Sequence, residues 1–261
     1  MSNINKAGCF WAEVQTPLLS GAGEGHGVAD ISLQRDSILG IPKVDGSVWR
    51  GAVSEEYSAM PRGTVSFSDL RLLLYPVKSS EGLYTLITCP GCVDRFIREM
   101  IWYGHLDQSY ENFLRVSGGY VSDGEIKMWE PHHKFIILED MPYKVSPLAT
   151  GDLGNPFRNT SLEDKYIEKI GIVSDEDFIH FVWKETERIH RIDVEKNYLF
   201  TEEYLPEKSI LYGVVNEFTD LCDPTSSSIF SDVLSKKIFG LYMGKNTTLG
   251  KGSVCFKRIG A

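Results

Sequence analysis

Segments with strand patterns and segments with helix patterns interleave along this chain without a regular βαβ period. Residues 8–14 and 211–218 have the aromatic and apolar content that is typical of strands. Residues 90–103 are predicted to form a helix, because proline fits a first helical turn and apolar residues recur along one face. This irregular order fits an α+β, ferredoxin-like (RRM-like) core that carries large insertions.

Local patterns predict further elements between these segments. We expect helices at residues 48–58 and 230–239 and from Asp175 onward, with Phe178, Phe181 and Val182 buried, and strands at residues 68–77, 83–88, within 126–138 and at 252–258. Residues 20–44 are predicted to form a long loop, and loops of that length are usually functional or disordered. Residues 188–197 are predicted to form one arm of a hairpin, because apolar and charged residues alternate there.

The composition is ordinary for a soluble globular protein. Of the 261 residues, 42% are hydrophobic and 24% are charged, and no run approaches the roughly 20 apolar residues of a membrane span. The N-terminal stretch has no signal-peptide pattern, and the five cysteines lack the even number and regular spacing of a disulfide framework. We therefore expect a cytoplasmic protein with no membrane partner. No linker or repeat divides the chain, which predicts one domain over residues 1–261.

The charge distribution is uneven. The net charge of −9 argues against non-specific nucleic-acid binding as the main activity. Residues 233–261, however, contain six Lys or Arg and no Asp or Glu. A protein that holds nucleic acid along one groove needs local positive potential rather than a basic average.

A glycine-rich segment near the N-terminus carries the strongest chemical signal. Residues 16–51 place four glycines within seven positions, then Asp30, and then the cations Arg35, Lys43 and Arg50. Glycine lets the backbone approach a ligand closely. The order of glycines, carboxylate and cations is what binding to a nucleic-acid backbone would need, with Asp30 as a possible reactive group.

Five sequence blocks resemble, in order, those of the backbone subunits of type III-B (Cmr) CRISPR effector complexes, members of the RAMP superfamily (Cas-seven group). The blocks are VADISLQRDSILGIPKVDGSVWRGAV, TCPGCVDRF, IVSDEDF, FTEEYLP and GKNTTLGKG. They span most of the chain, and residues 103–159 resemble the family least. The resemblance implies a single RAMP-type domain with insertions at about residues 104–160 and 175–206.

The resemblance also implies the partners and the activity. The partners would be CRISPR RNA, target RNA, further copies of the chain in a stacked filament, and other type III-B subunits including the large polymerase/cyclase-like subunit. The chain would be a metal-dependent, RNA-guided endoribonuclease that cleaves target RNA at regular intervals. A different class of function, a non-catalytic subunit that holds guide RNA and partners, stays open. A guide-processing nuclease is less favoured, because no convincing histidine base is present.

Asp30 matches the family's catalytic aspartate. A lone carboxylate is a weak general base at neutral pH and holds Mg²⁺ or Mn²⁺ only weakly. RNA phosphates would complete the metal site, and the target 2′-hydroxyl would be the nucleophile. The alternative is a turn or capping aspartate in a glycine-rich loop.

Other residues are secondary catalytic candidates. Relatives often carry histidine where this chain has Leu19, and His26 could substitute for it, with a solvated loop histidine as the favoured alternative. Glu202 and Tyr204 are a carboxylate and a phenol two residues apart, which share a face if the segment is extended. Packing and hydrogen bonding at a strand edge is the alternative for this pair.

Two groups of residues are candidates for binding the RNA backbone. Lys43, Ser47 and Arg50 match or adjoin the family's Gly-Ser-x-x-Lys-Gly step, and the first helical amides after it form a natural phosphate site. Asp45 and Trp49 depart from the family there: Asp45 would repel phosphate unless turned away, and Trp49 would pack or stack. The second group, in a glycine-rich turn, is Lys245, Thr248 and Lys251. The alternative for these cations is a solvated surface position.

A projecting thumb and a cysteine pair complete the candidates. Residues 188–203 are the candidate thumb, whose Ile or Val side chains would unstack one base step, with a plain surface hairpin as the alternative. Cys89 and Cys92 could be a redox pair or half of a zinc site, but no second pair completes the latter. His132 and His133 are adjacent and would point in opposite directions in a strand. We predict two buried thiols.

Overall fold

The structure is a computed structural model, and it describes residues 4–24, 29–57, 65–149, 153–193, 197–218 and 236–260. The chain forms two compact units. The first contains the described residues up to Leu72 together with Thr186–Arg258, and the second contains Leu73–Glu185 and the residues from Ile259 onward. The chain passes from one unit to the other at three points: within the strand that contains Leu72 and Leu73, before Thr186 and after Arg258.

The elements are named in chain order. The strands are β1 (Ile4–Val14), β2 (Gly21–Glu24), β3 (Ile31–Leu33), β4 (Lys43–Val44), β5 (Val65–Phe67), β6 (Leu70–Lys78), β7 (Tyr84–Thr88), β8 (Glu125–Met128), β9 (Phe135–Leu138), β10 (Met141–Pro147), β11 (Ile170–Ile172), β12 (Glu187–Asp193), β13 (Tyr198–Tyr204), β14 (Ile210–Phe218), β15 (Ile238–Tyr242) and β16 (Ser253–Arg258). The helices are α1 (Gly46–Tyr57), α2 (Pro90–Trp102), α3 (Phe113–Val116), α4 (Pro156–Asn159), α5 (Asp164–Ile167) and α6 (Asp175–Lys184). Short 3₁₀ helices within the described ranges include Gln108–Asn112 and Thr247–Leu249.

The first unit is built on an antiparallel sheet in the order β15-β16-β1-β14, with β5 paired to β14. Helix α1 is anchored to it by Trp49, whose ring stacks on Phe256 with centroids 5.5 Å apart. The indole N–H of Trp49 donates a hydrogen bond of 2.8 Å to the carbonyl of Ser68. Trp49 is fully buried and therefore packs in the core rather than stacking on a ligand.

A second sheet in the first unit has the order β12-β13-β3-β2. The prediction of a long loop over residues 20–44 is wrong, because β2, β3 and β4 lie within it. Strand β2 consists of Gly-Ala-Gly-Glu, so it lacks the apolar alternation that marks a strand. It is extended because its backbone pairs with β3. The predicted hairpin is confirmed: β12 and β13 pair in antiparallel register from Glu187 opposite Tyr204 to Asp193 opposite Tyr198.

The second unit is a mixed sheet with helices. Its strands follow the order β6-β7-β11-β8-β10-β9. Helix α2 buries three residues of the predicted apolar stripe, Val93, Phe96 and Ile97, and the fourth, Ile101, is half-buried. Helix α6 begins after Ser174, whose hydroxyl accepts the amide of Asp177 at 3.1 Å, and it buries Phe178, Phe181 and Val182 as predicted. The α+β class is confirmed.

Two further predictions are resolved only in part. The helix predicted over residues 230–239 is wrong at Ile238 and Phe239, which belong to β15, and its residues up to 235 lie outside the described ranges. The alternate residues of β15 are buried, which is the period of a strand. The single domain over residues 1–261 stays a prediction: the proposed insertion at 104–160 lies in the second unit, whereas 175–206 is divided between the two units. In the described ranges, no helix is long and apolar enough to cross a membrane.

Candidate active site and nucleic-acid interface

Asp30 lies immediately before β3, beside β13. The parallel bridge between Ile31 and Glu202 brings the start of β3 next to the middle of β13. The carboxylate of Asp30 is exposed, and each of its oxygens accepts a hydrogen bond from β13. The Tyr198 hydroxyl donates to Oδ1 at 2.9 Å, and the Thr201 amide donates to Oδ2 at 2.8 Å. Asp30 is therefore neither a helix cap nor a free loop residue.

These hydrogen bonds determine the protonation of Asp30. The Thr201 amide, and then the Tyr198 hydroxyl, stabilise the charged carboxylate and lower the pKa of Asp30 below its ordinary value. The group is thus ionised at neutral pH and is a weak general base. Its chemistry is that of a fixed negative charge and an oxygen ligand.

Asp30 fits a weakly held divalent cation. A carboxylate offers about four lone-pair positions, and two of those of Asp30 are used by Tyr198 and Thr201. Mg²⁺ commonly takes one or two protein carboxylates and completes its shell with waters and substrate phosphates. Among the described residues, no three His, Cys, Asp or Glu side chains are grouped closely enough to hold a metal ion. Any cation at Asp30 would therefore take most of its ligands from RNA and water.

Glu202 and Tyr204 share a face of β13, as predicted, and belong to a polar cluster with Arg191 and Asn246. The Tyr204 hydroxyl donates to Glu202 Oε2 at 2.7 Å, and Arg191 Nε donates to the same oxygen. Asn246 Nδ2 lies 3.0 Å from Glu202 Oε1 and 2.7 Å from the Tyr204 oxygen. We call these four residues the Glu202 cluster. Glu202 and Tyr204 are buried.

The cluster holds Glu202 as an anion and Tyr204 as a neutral phenol. Burial by itself would raise the pKa of Glu202, but hydrogen bonds from Tyr204, Asn246 and Arg191 outweigh it and lower that pKa. Burial, and then the adjacent Glu202 carboxylate, raises the pKa of Tyr204. The hydrogen bond to Tyr204 raises the pKa of the Arg191 guanidinium, which therefore stays charged. A buried ion pair with this many partners holds its members in one geometry.

The glycine-rich turn before β16 contacts the segment that contains Leu19. The Lys245 amide donates to the Leu19 carbonyl at 3.0 Å. A Cβ on Gly244, which has φ +81°, would lie 2.4 Å from that carbonyl oxygen, so only glycine fits. Leu19 itself is fully buried. The position at which relatives often carry histidine is thus a packing position here.

The two predicted RNA-binding segments border one groove in the first unit. The groove has a volume of about 460 Å³, and its lining comes from residues 19–21, helix α1 and the turn after β15. The α1 residues in this lining are Val48, Gly51, Ala52 and Glu55. The end of β15 contributes Tyr242, and the turn after it contributes Met243, Gly244, Lys245 and Thr247. Lys245 and Thr248 are exposed, and Arg50 is half-buried. Their contact with RNA stays a prediction.

The amides at the start of α1 already have partners. Asp45 Oδ1 accepts the Ser47 amide at 2.8 Å, and Asp69 Oδ1 accepts the Gly46 amide at 3.1 Å. The Ser47 hydroxyl and amide lower the pKa of Asp45. Asp45 is therefore turned onto the helix start and occupies the place that we predicted for phosphate. The exposed position of Ser47 leaves it as a candidate contact.

Several of the predicted cations are in ion pairs. Lys43 Nζ lies 2.6 Å from Asp69 Oδ2, and Lys251 Nζ lies 3.4 Å from Glu187 Oε1. Arg35 Nη2 lies 2.7 Å from Glu203 Oε1, so this cation supports the second sheet. These pairs reduce the positive potential that the sequence alone suggests. His26, the substitute acid or base, lies outside the described residues.

The β12–β13 hairpin exposes apolar side chains near its tip. Ile192 and Leu199 lie opposite each other, and both are exposed, as is Tyr198. This is the kind of surface that a wedge between bases would need. The hairpin is observed, and its action on RNA stays a prediction.

Cys89 and Cys92 are buried, which confirms the prediction of two buried thiols. Cys89 precedes the first turn of α2, and its hydrogen bond to Cys92, followed by burial, raises its pKa well above the ordinary value. This contradicts a redox role that depends on a low-pKa thiol. His133 lies 3.0 Å from Glu81, away from any second metal-ligand pair in the described ranges.

Sequence reasoning missed three residues of the site: Tyr198, Arg191 and Asn246. Tyr198 is 168 positions from Asp30, and Asn246 is 44 positions from Glu202. Tyr198 and Arg191 lie within the predicted thumb and Asn246 within the glycine-rich turn, but no pattern marked any of the three individually. Asn246 has φ +62°, the left-handed conformation that asparagine tolerates.

Several known proteins are similar to this chain in sequence and in fold. The CRISPR system Cmr endoribonuclease Cmr4 of Pyrococcus furiosus is 25% identical over an alignment of 275 positions, which covers 92% of this chain and 91% of that relative. The crystal structure of oligomeric Cmr4 from Pyrococcus furiosus matches with a TM-score of 0.72 at 21% identity, over 97% of this chain and 98% of that one.

A chain in the cryo-EM structure of the Type III-B Cmr-beta complex bound to cognate target RNA matches with a TM-score of 0.74 at 18% identity, over 98% of each chain. These matches show the same fold over nearly the whole chain, consistent with the predicted ferredoxin-like core. The family model of the RAMP superfamily matches residues 11–255. The chain therefore belongs to the RAMP superfamily.

Proposed function

We propose that this chain is a backbone subunit of a type III-B CRISPR effector complex. The subunit would bind CRISPR RNA and cleave the paired target RNA, with Asp30 as its catalytic residue. The observation that carries the proposal is the exposed, ionised Asp30 carboxylate, held by Tyr198 and Thr201 on the candidate thumb. Similarity to a Cmr endoribonuclease and to a chain of a complex bound to target RNA supports it. Further copies of the chain and other subunits, including a large polymerase/cyclase-like one, would be its partners.

The cleavage step uses the target RNA as its own nucleophile. The 2′-oxygen forms a bond to the adjacent phosphorus as the bond from phosphorus to the 5′-oxygen breaks, which leaves a cyclic phosphate and a 5′-hydroxyl. The proton of the 2′-hydroxyl passes to solvent, and the leaving 5′-oxygen takes one from solvent. Orientation of the attacking group in line with the leaving group supplies most of the acceleration.

Asp30 contributes by position rather than by basicity. Its lowered pKa keeps it charged, and its two hydrogen bonds hold both oxygens in place. A bound Mg²⁺ or Mn²⁺ would neutralise charge on the phosphate, and Asp30 would be its protein ligand. The exposed pair Ile192 and Leu199 would splay one target nucleotide outward. Unstacking that one base step costs roughly a few kcal/mol.

Guide RNA would lie in the groove beside α1. Lys245 lines the groove and is its first candidate backbone contact. Thr248, Arg50, Ser47, Lys43 and Lys251, in the same two segments, are the other candidates. Lys43 and Lys251 would have to exchange or share a carboxylate partner to bind phosphate. Their contribution is therefore expected to be smaller than that of Lys245.

The alternative is a non-catalytic subunit that only holds guide RNA and partner subunits. The ion pairs of several cations are compatible with both the endoribonuclease and the scaffold subunit. Cleavage of target RNA distinguishes the two functions. The test is target-RNA cleavage by the complex reconstituted with this chain or with Asp30→Ala, in Mg²⁺, in Mn²⁺ and in chelator. Evenly spaced products that vanish in the variant, while guide and target binding persist, are expected. Binding without products in the unaltered complex would establish the scaffold function instead.

A further inference from the structure

Arg191 points to the same face of the candidate thumb as Tyr198. Arg191 lies opposite Phe200 in the β12–β13 register, and directly opposite residues share a face. Side chains alternate along a strand, so Tyr198 is on that face with Phe200. Neighbouring strands are about 4.8 Å apart, and Asp30 bonds to β13 on either side of Phe200. Arg191 therefore lies at one edge of β13, and Asp30 lies at the other edge.

The guanidinium of Arg191 retains donors for a ligand. Of its five N–H groups, one on Nε donates to Glu202 and one on Nη2 donates to the Tyr204 hydroxyl at 3.2 Å. No group in the described part of the chain accepts from the other three, and the side chain is 26% exposed. A guanidinium presents a planar fork that matches the geometry of a phosphate.

The rest of the Glu202 cluster holds Arg191 in place. Glu202 is buried and ionised, and Asn246 bonds to both of its oxygens. The cluster thus ties the candidate thumb to the glycine-rich turn. Lys251 brings a second cation, with its Nζ 5.2 Å from the centre of the Tyr204 ring. A buried carboxylate that orients a partly exposed arginine is an arrangement suited to binding an anion.

We infer that Arg191 binds a phosphate of the target RNA beside Asp30, and that Glu202, Tyr204 and Asn246 are positioning residues for it. This inference rests on the proposed function and deepens it, because it names the substrate group and the residue that contacts it. The preformed fork would stabilise the negative charge that develops on the phosphate oxygens during cleavage. The secondary candidates Glu202 and Tyr204 would then act through Arg191 rather than on RNA directly.

The test measures binding separately from cleavage. Complexes that carry Asp30→Ala are bound to a series of target RNAs, each with one uncharged methylphosphonate in place of a phosphate. With Arg191 present, one position per subunit repeat is expected to weaken binding roughly tenfold or more, the size of a charge-assisted hydrogen bond. With Arg191→Gln in the same background, that position-specific loss is expected to disappear.

Two further variants keep the test decisive. Arg191→Lys keeps the positive charge beside Glu202 but loses the planar fork, so it replaces Arg191→Gln if that variant does not assemble. It is expected to reduce the loss of binding that the methylphosphonate causes at the sensitive position. Arg115→Gln removes an exposed arginine of the second unit and should leave the loss unchanged. An equal methylphosphonate effect with and without Arg191 would overturn the inference.

The outcomes also separate the inference from the proposed function. An Arg191-dependent phosphate contact in a complex that never cleaves would support the contact and refute the endoribonuclease activity. Asp30-dependent cleavage with no Arg191-dependent contact would support the activity and refute this inference. If both hold, the sensitive phosphate should coincide with a cleavage position.

Discussion

The hydroxyl of Tyr198 donates a hydrogen bond of 2.9 Å to Oδ1 of Asp30, across 168 positions of sequence. The Thr201 amide holds the other oxygen at 2.8 Å. The candidate catalytic carboxylate is thus fixed by the same strand that forms one side of the candidate thumb. A movement of β13 that places a target nucleotide would therefore also move Asp30.

Tyr198→Phe should remove one of these two hydrogen bonds and leave the ring in place. We expect the cleavage rate to fall roughly two- to tenfold, because that factor corresponds to the free energy of one hydrogen bond. Guide and target binding should be unchanged. The pKa of Asp30 should rise toward its ordinary value, because a group that stabilised the charged form is lost. Single-turnover cleavage and a carboxyl NMR titration of Asp30 measure the two effects. Tyr120→Phe, at an exposed tyrosine of the second unit, is the control. An unchanged pKa would contradict the role of Tyr198.

Glu202→Gln should destabilise the protein, because it leaves Arg191 without its buried counter-ion. Breaking a buried ion pair costs roughly 3–5 kcal/mol of stability. We expect about 3 kcal/mol here, the lower end of that range, because Arg191 is partly exposed. Folded Glu202 has a lowered pKa, so its stabilisation is present above the ordinary carboxyl range and is lost as pH falls through the folded pKa.

Urea unfolding of both proteins at several pH values measures this loss. The difference in free energy of unfolding should be full at neutral pH and should shrink on acidification. Glu163→Gln, in a surface pair with Lys165, is the matched control and should cost less than about 1 kcal/mol. A difference that grows on acidification would show that Glu202 is not held as an anion.

Gly244→Ala and Gly250→Ala compare two glycines with nearly the same φ, +81° and +77°. A Cβ at Gly250 meets nothing within 4 Å, so its cost is that of the left-handed conformation alone, about 1–2 kcal/mol. At Gly244 the Cβ would lie 2.4 Å from the Leu19 carbonyl oxygen, and backbone must shift. We expect Gly244→Ala to lower the free energy of unfolding by more than Gly250→Ala does, with a difference of more than about 1 kcal/mol. Thermal unfolding measures the difference, and equal costs would place the turn away from Leu19.

Cys89 should resist alkylation in the folded protein. Its raised pKa keeps the thiol protonated, and burial excludes the reagent. Burial likewise raises the pKa of Cys9 to about 12. Peptide mapping after iodoacetamide treatment should show labelling at half-buried Cys255 well before labelling at Cys89, and the difference should vanish in denaturant. Rapid labelling of Cys89 in the folded state would revive the redox alternative.

Local sequence patterns determined much of this fold. The apolar stripes of α2 and α6 and the aromatic strands β1 and β14 follow from periodicity, because burial of one face imposes a spacing on the residues of that element alone. The spacing of Glu202 and Tyr204 likewise placed both on one face of an extended strand. Ordered motifs also singled out Asp30 as the reactive candidate.

Only the tertiary structure decided what Asp30 and Glu202 contact. Strand β2 carries no apolar pattern and is extended because its backbone pairs with β3. The bridge between Ile31 and Glu202, and not a motif, brings Asp30 to Tyr198. Register and cross-strand partners depend on backbone hydrogen bonds and packing between segments far apart in sequence. A residue such as Arg191 therefore shows no local sign of the role that its position in the sheet provides.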